Sequence, residues 1–523
     1  MSTNRSVAPE DRVPIRQKIA YGLGTANDMW GNWLYPTMVW PVFNMFLHVS
    51  PVLVSTALMI NRLIDAASDP FFGWISDNTR SRFGRRRPYI LIGSILAGIT
   101  LPMLMMVSPN WAENTLFIYM LISSAIYITI TSSFNMPYQS LGNELTPDYT
   151  ERTILFAYKG SIQKISEIAS FAFAMFATST VWIGASFTDA PAKVKELFML
   201  FSSWMGDAFK GLFSFDMASI VEAAKNPFYW NTGVEGEPNV LLGGQVFTIG
   251  IGFLMVIVGI IVFLNVKERY YAKVVESNQE KISLSETIYK TLKCRPFRSQ
   301  LAMSLSYGLS TSMLGSLGYY ITVYYVCGGN ITTGSAWNFG MGLAGMLCGL
   351  IGVPTYAYIA KLFGKRASMM IVQISAVLVF IASWWLYNPD IPWLQFFASG
   401  GIAFTQGGFW SVYGAIGADV IDYDELETHK RREGAFAATG TYIMKVGLAL
   451  GIFMSGVVLT WTGFDAALGS NQAVDTLIHI RLAFAAIPIA GLILAFIALL
   501  KFPLTREKME EIRTELEARR GIV

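Results

Sequence analysis

Arg62, Asp65 and Asp69 stand within Val52–Ile75, a stretch otherwise apolar enough to cross a bilayer. A charge at mid-membrane costs roughly 2.5–3.5 kcal/mol on an insertion scale, so three of them facing lipid would largely cancel the hydrophobic gain of the helix. They must face protein or water. At about 100° per residue the three positions fall within roughly 60° of one another, a narrow polar stripe that reads as the lining of an ion or solute path. Two carboxylates one helical turn apart repel each other, and burial makes their joint ionisation costly until a cation arrives. They are suited to a proton or Na⁺. A hard cation takes oxygen ligands, and Ser132 and Asn135 on the fourth apolar run, Leu116–Tyr138, are the candidates to complete the set. The structural alternative is that Arg62 neutralises one aspartate in a packing ion pair, although one arginine cannot pair fully with both.

The elements that must hold these groups are membrane helices. Of 523 residues, 53% are hydrophobic and 14% charged, against roughly 25% charged in an average soluble domain. Twelve apolar runs, from Ala20–Leu47 to Leu477–Leu500, each approach or exceed the roughly 20 residues needed to span. The expected organisation is a tail at 1–19, six spans over 20–266 with a loop at 183–243, a charged linker at 267–296, six spans over 297–500 and a charged tail at 501–523. With both termini cytoplasmic, 30 of the 39 Lys and Arg fall in cytoplasmic segments and four in external loops, which fixes that orientation by the positive-inside rule. Phe83-Gly84-Arg85-Arg86 after the second span is echoed by Phe363-Gly364-Lys365-Arg366 after the eighth, so the halves read as divergent copies. The eighth span has no acid to match Asp65 and Asp69, which gives ion chemistry to the first half. In the loop, Leu197, Phe198, Phe201, Met205, Phe209 and Phe213 recur at helical spacing over Val194–Ala224 and predict an amphipathic helix on the outer surface, either a headgroup anchor or a lid. Cys294, Cys327 and Cys348 lack metal-ligand spacing and read as small packing residues. The net charge of +3 follows from topology and calls for no nucleic acid.

The run Arg62-Leu-Ile-Asp65-Ala-Ala-Ser-Asp69-Pro70, with Gly73-Trp-Ile-Ser-Asp77 and Arg80-Ser-Arg82-Phe-Gly84-Arg85-Arg86-Arg87-Pro88, resembles the glycoside-pentoside-hexuronide:cation symporters of the major facilitator superfamily. Ala418-Asp419-Val-Ile-Asp422-Tyr423, Arg432-Glu433-Gly434 and Lys445 agree with that family, as do Tyr21-Gly22-Leu-Gly24 and Asp28. The resemblance covers all twelve spans. It implies an all-α membrane protein of two six-helix bundles around a cavity that opens to each side in turn, and sugar uptake coupled to Na⁺ or H⁺.

The resemblance also implies site residues. Asp28 stands at the family's sugar-binding aspartate, with Asn27, Trp30 and Asn32 beside it. Asn135 stands where the family pattern has an aspartate, keeping an oxygen ligand but losing a charge, which leaves Na⁺ and H⁺ both open. Gln139 replaces an aromatic residue near the sugar. The family's sugar-contacting arginine aligns nearest Gly160, so the positive role passes to Lys159 or Lys164, although Lys164 and Glu167 are spaced to pair with each other. Trp410 matches the sugar-stacking tryptophan, and Thr441 and Lys445 match the polar pair of the eleventh helix. Arg82 and Arg85 on the basic loop, with Asp419 and Asp422, are candidates for ion pairs that latch the cytoplasmic side. The expected partners are a sugar, a monovalent cation and the lipid bilayer, with no cofactor beyond the coupling ion. The expected setting is the plasma membrane, a bacterial inner membrane, with the monomer as the working unit.

Two rivals bound this reading. A lipid or lysolipid transporter of the same superfamily branch would keep the paired aspartates but open an apolar cleft to lipid. A membrane enzyme or receptor would need an activated nucleophile or a His cluster on a span, whereas His48, His429 and His479 all lie near span ends.

Overall fold

Proline and asparagine punctuate the apolar runs and fix where the helices begin. The computed structural model describes residues 12–146, 149–213, 236–268, 291–429 and 432–520. In the first half, α1 (Ile15–Met29) continues through a π-helical turn at Trp30–Leu34, one α-turn at Tyr35–Val39 and a second π-turn at Trp40–Phe46. It is followed by α2 (Pro51–Asn78), α3 (Arg87–Met103), α4 (Glu113–Glu144), α5 (Tyr149–Ala177) and α6 (Val240–Asn265). In the second half, α7 (Arg295–Thr311) continues through Leu314–Tyr320 and a π-turn at Ile321–Val326, ahead of α8 (Ile331–Phe363) and α9 (Lys365–Leu386). Then come α10 (Gln395–Thr428), α11 (Glu433–Trp461) and α12 (Val474–Leu500). Pro51 enters α2 at its first turn, where the missing N–H has no partner to lose. Asn239 and Asn330 cap α6 and α8, their side chains accepting from Leu242 N at 3.1 Å and Thr333 N at 2.9 Å.

Six of these helices meet length and apolarity limits for a span on their own. Others are broken, short or charged: α1 and α7 carry π-turns, α3 has 17 residues, and α2 holds the Arg62 stripe. The fifth apolar run of the sequence, Leu155–Trp182, is not one helix, because α5 ends at Ala177 and Thr180–Trp182 form a separate 3₁₀ turn. Between them Ser179 takes an extended backbone and caps the new turn through its side chain.

The chain divides into two compact units, Met1–Gln279 and Glu280–Val523. Inside the first, α1 packs on α5 and α6, α2 on α4, and α3 on α4 and α6. Inside the second, α7 packs on α11 and α12, α8 on α10, and α9 on α10 and α12, the same scheme six helices later. The repeat extends to backbone detail at an offset of 280 residues: His48 and Gly328 have φ of 56° and 59°, and Gly84 and Gly364 have φ of 105° and 87°. After the π-turns, Leu47 N to Val42 O and Val49 N to Phe43 O are repeated as Cys327 N to Thr322 O and Gly329 N to Val323 O, all between 2.8 and 3.0 Å. At that offset Arg62, Asp65 and Asp69 correspond to Gly342, Gly345 and Gly349. The second unit uses the position for close packing, since a Cβ on Gly345 would meet Ser399 Oγ at 3.3 Å.

The amphipathic segment after α5 forms a helix at Ala190–Phe213, opened by Ser186 and Asp189 in a reciprocal cap whose hydrogen bonds hold the Asp189 carboxyl below its usual pKa. Its expected continuation to Ala224 lies outside the described residues, as do residues 1–11 of the first tail, 269–290 of the linker and 521–523 of the second tail.

Candidate functional site

On α2, Arg62 and Asp65 are buried and Asp69 is half-buried. Arg62 Nη1 lies 3.7 Å from Asp65 Oδ2, longer than a charge-assisted hydrogen bond. The guanidinium makes its short bond elsewhere, from Nη2 to the backbone oxygen of Asn32 at 2.6 Å, and lies 5.0 Å from the centre of the Trp33 ring. Asn32 sits in the first π-turn. Pro36, four residues on, has no N–H to give the Asn32 carbonyl, and Arg62 supplies a donor instead.

The fourth helix closes on the same carboxylate. Ser132 donates to Asp65 Oδ1 at 3.5 Å, and its hydroxyl meets that of Ser68 at 2.8 Å. Ser68, which the sequence reading passed over, also donates to the Asp65 backbone oxygen at 3.3 Å. Asn135, one turn beyond Ser132, is 2% exposed, and its Oδ1 has no hydrogen-bond partner among the described residues. A buried amide oxygen without a donor carries an uncompensated desolvation cost. It is a ready oxygen ligand for a cation.

A second polar cluster forms where α1, α4 and α5 meet. Asn32 Nδ2 donates to Asp28 Oδ1 at 3.0 Å. Gln139 from α4 and Lys159 from α5 both act electrostatically on the same carboxylate. The Lys159 ammonium also lies over the rings of Tyr138 and Phe156, 5.3 and 5.9 Å from their centres. Tyr138 stacks on Tyr21 and Phe134 and donates to the Tyr21 backbone oxygen at 2.6 Å, which fixes the floor of the cluster. Gly24 lets α1 come this close, because a Cβ there would sit 2.4 Å from the Tyr138 ring.

Other expected residues are placed elsewhere. Asn27 is 1% exposed and donates both amide hydrogens to helix packing, to Ser94 Oγ at 3.0 Å and the Met255 backbone oxygen at 2.9 Å. Its geometry departs from the substrate contact expected of it, because it points to α3 and α6 while Asp28 points to Asn32 and Gln139. Lys164 pairs with Glu167 at 2.8 Å, the local alternative of the sequence reading. In the second unit, Trp410 is half-buried and packs edge-on against Tyr307, Phe409 and Tyr413 at 5.8, 5.2 and 5.6 Å. Thr441 is exposed on α11, with Lys445 half-buried one turn on.

The basic-loop residues have partners inside their own units. Arg85 and Arg86 bind Glu144 at the end of α4, and Glu268 accepts from the backbone N–H groups of Arg85, Arg86 and Arg87 at 2.9, 2.7 and 3.1 Å. Arg82 lies over the Phe83 ring at 4.6 Å. Lys365, at the position corresponding to Arg85, bonds Asp419 at 2.7 Å, and Asp422 is half-buried one turn further along α10. Neither Glu144 nor Glu268 was singled out from the sequence, and Lys365 was named there only as part of the repeat. Glu268 carries no signal there beyond being an acid at the edge of a basic linker.

Comparison with known proteins gives this geometry a context. A family model described as MFS/sugar transport protein matches residues 20–506. An uncharacterized symporter of Synechocystis sp. is 26% identical, covering 97% of this chain and 98% of its own length. An isoprimeverose transporter of Lactiplantibacillus pentosus is 23% identical over 95% of this chain and 90% of its own length. A sodium-dependent lysophosphatidylcholine symporter of Gallus gallus is 21% identical over 90% and 83%. Among solved structures, an inward-facing bacterial homologue of the lysosomal transporter Spinster has a TM-score of 0.60 at 13% identity, covering 98% of this chain and 99% of its own, a likeness of fold. The chain is thus a multi-pass membrane protein and a secondary transporter, not an enzyme, and it belongs to the MFS/sugar transport family, the glycoside-pentoside-hexuronide symporters.

Proposed function

We propose that the protein imports a sugar or glycoside together with Na⁺ or H⁺, by alternating access, across a plasma membrane with both termini cytoplasmic. The cation binds Asp65 and Asp69, with Ser132 and Asn135 as neutral oxygen ligands. The sugar binds the cluster of Asp28, Gln139 and Lys159, whose donors and acceptors suit a hydroxyl-rich ring. The part of Trp410, Thr441 and Lys445 in the second unit is carried by the family resemblance.

The observation that supports coupling is Asn32, which donates to Asp28 while its carbonyl accepts from Arg62, the residue paired with Asp65. A cation at Asp65 competes with Arg62 for the carboxylate. The altered position of Arg62 is felt through Asn32 at Asp28. Linkage then requires that the sugar tighten the cation site by the same factor.

The test is thermal stabilisation of the purified protein by a panel of neutral and acidic glycosides, with Na⁺ and across pH. Stabilisation by a glycoside that grows with Na⁺, or with acidity, is the expected result. No response to any glycoside, with a sodium-dependent response to lysophosphatidylcholine, would overturn the sugar assignment in favour of the lysolipid rival.

A further inference from the structure

Arg481 lies seven residues into α12, about 10 Å along the axis from Val474. Its half-buried guanidinium is held between two rings, 4.0 Å from the centre of Tyr325 and 4.3 Å from that of Trp384, and donates from Nη2 to the Trp384 backbone oxygen. No carboxylate among the described residues pairs with it. One bond to a carbonyl leaves most of the five guanidinium N–H donors unaccounted for.

The first unit shows that helix packing does not need the charge. There Gln245 on the sixth helix donates from Nε2 to the backbone oxygen of Met105, just past the end of the third, at 3.0 Å. Arg481 makes the same kind of bond from α12 to α9 with a charged side chain that the bond alone does not require. From it exposed apolar side chains run as stripes toward the middle of both helices, Leu482 and Ile493 on α12 and Ile381, Leu378 and Ile374 on α9. On a helix that crosses a bilayer these stripes lie against acyl chains. A cation among aromatic rings at the head of an acyl-lined surface fits a phosphate, which a guanidinium binds bidentately.

We propose that Arg481, framed by Tyr325 and Trp384, is a binding site for the phosphodiester of a membrane phospholipid whose chains run down the stripes of α9 and α12. The site is independent of the transported substrate.

Native mass spectrometry of the full-length protein, titrated with phosphatidylglycerol or with a diglucosyl diacylglycerol of matched chains, tests this. The wild type should retain phosphatidylglycerol at least tenfold more tightly than the glycolipid. Arg481→Gln, which copies the Gln245 bond, should melt as the wild type does in lipid-free detergent and lose one bound phospholipid, while Arg481→Lys keeps part of the affinity. Unchanged phospholipid retention in Arg481→Gln would overturn the proposal. Equal affinity of the wild type for the two lipids would overturn it too, and that arm needs no variant to fold.

Discussion

The carboxylate of Asp28 and the guanidinium of Arg62 bind the two ends of one residue: Asn32 donates its side-chain amide to the first and accepts at its backbone oxygen from the second. Arg62 in turn lies 3.7 Å from Asp65. Two acidic centres on different helices are thus joined through four residues in series, with the joint, Asn32, in the π-turn that follows α1.

The joint makes a distinct prediction. Asn32→Ala keeps the carbonyl that Arg62 uses but deletes the amide that reaches Asp28. Cation and sugar should each still bind, while the factor by which one tightens the other falls from the 5- to 150-fold of a typical coupling toward unity. Calorimetric titration of sugar with and without saturating cation measures it. An undiminished factor would remove Asn32 from the path.

Asp65→Asn or Asp69→Asn should abolish concentrative uptake into vesicles while some downhill exchange survives, because the amide keeps the shape of the site and removes the charge that draws the cation. Full accumulation by either variant would refute the cation assignment.

How much of this was legible in the sequence depends on what the signal needed. Spacing alone put Arg62, Asp65 and Asp69 on one face, and the apolar runs marked the spans. The Ser68–Ser132 contact needs the pairing of α2 with α4, which no local pattern reports. Asn27 and Asp28 are adjacent, equally polar and about 100° apart on the helix, so only the packed neighbours show that one holds α3 and α6 together while the other joins the cluster. The acceptor at Asn32 does have a signature, one the sequence reading did not use: Pro36, four residues on, has no N–H to bond its carbonyl.

Asn135 should separate stability from binding. Its Oδ1 makes no hydrogen bond among the described residues. Asn135→Ala should therefore shift the melting free energy by about 1 kcal/mol or less, yet weaken the cation by roughly tenfold, ~1.4 kcal/mol, if one oxygen ligand is lost. Asn135→Asp, which restores the acid of the family pattern, should tighten it instead. A large loss of stability with unchanged cation affinity would mark Asn135 as a packing residue.

The loop glycines offer a test inside the repeat. Gly84 and Gly364 both have φ in the left-handed range, so an alanine at either position is strained by about 1–3 kcal/mol. Only at Gly84 would the new Cβ also strike a neighbour, Glu268 Oε1 at 2.7 Å, whereas at Gly364 the nearest atom is Arg506 Cβ at 3.7 Å. Because Glu268 receives three backbone N–H groups at the start of α3, pushing it aside forfeits charge-assisted bonds as well as the favourable end of the helix dipole. Gly84→Ala should thus lower the melting temperature more than Gly364→Ala. In a Glu268→Ala background the two should become equal, since the clash and the bonds it breaks are already gone, and that non-additivity in a double-mutant cycle identifies the Glu268 cap as the cause. Equal losses in the parent background would mean that Glu268 yields without cost and contributes little to holding the loop.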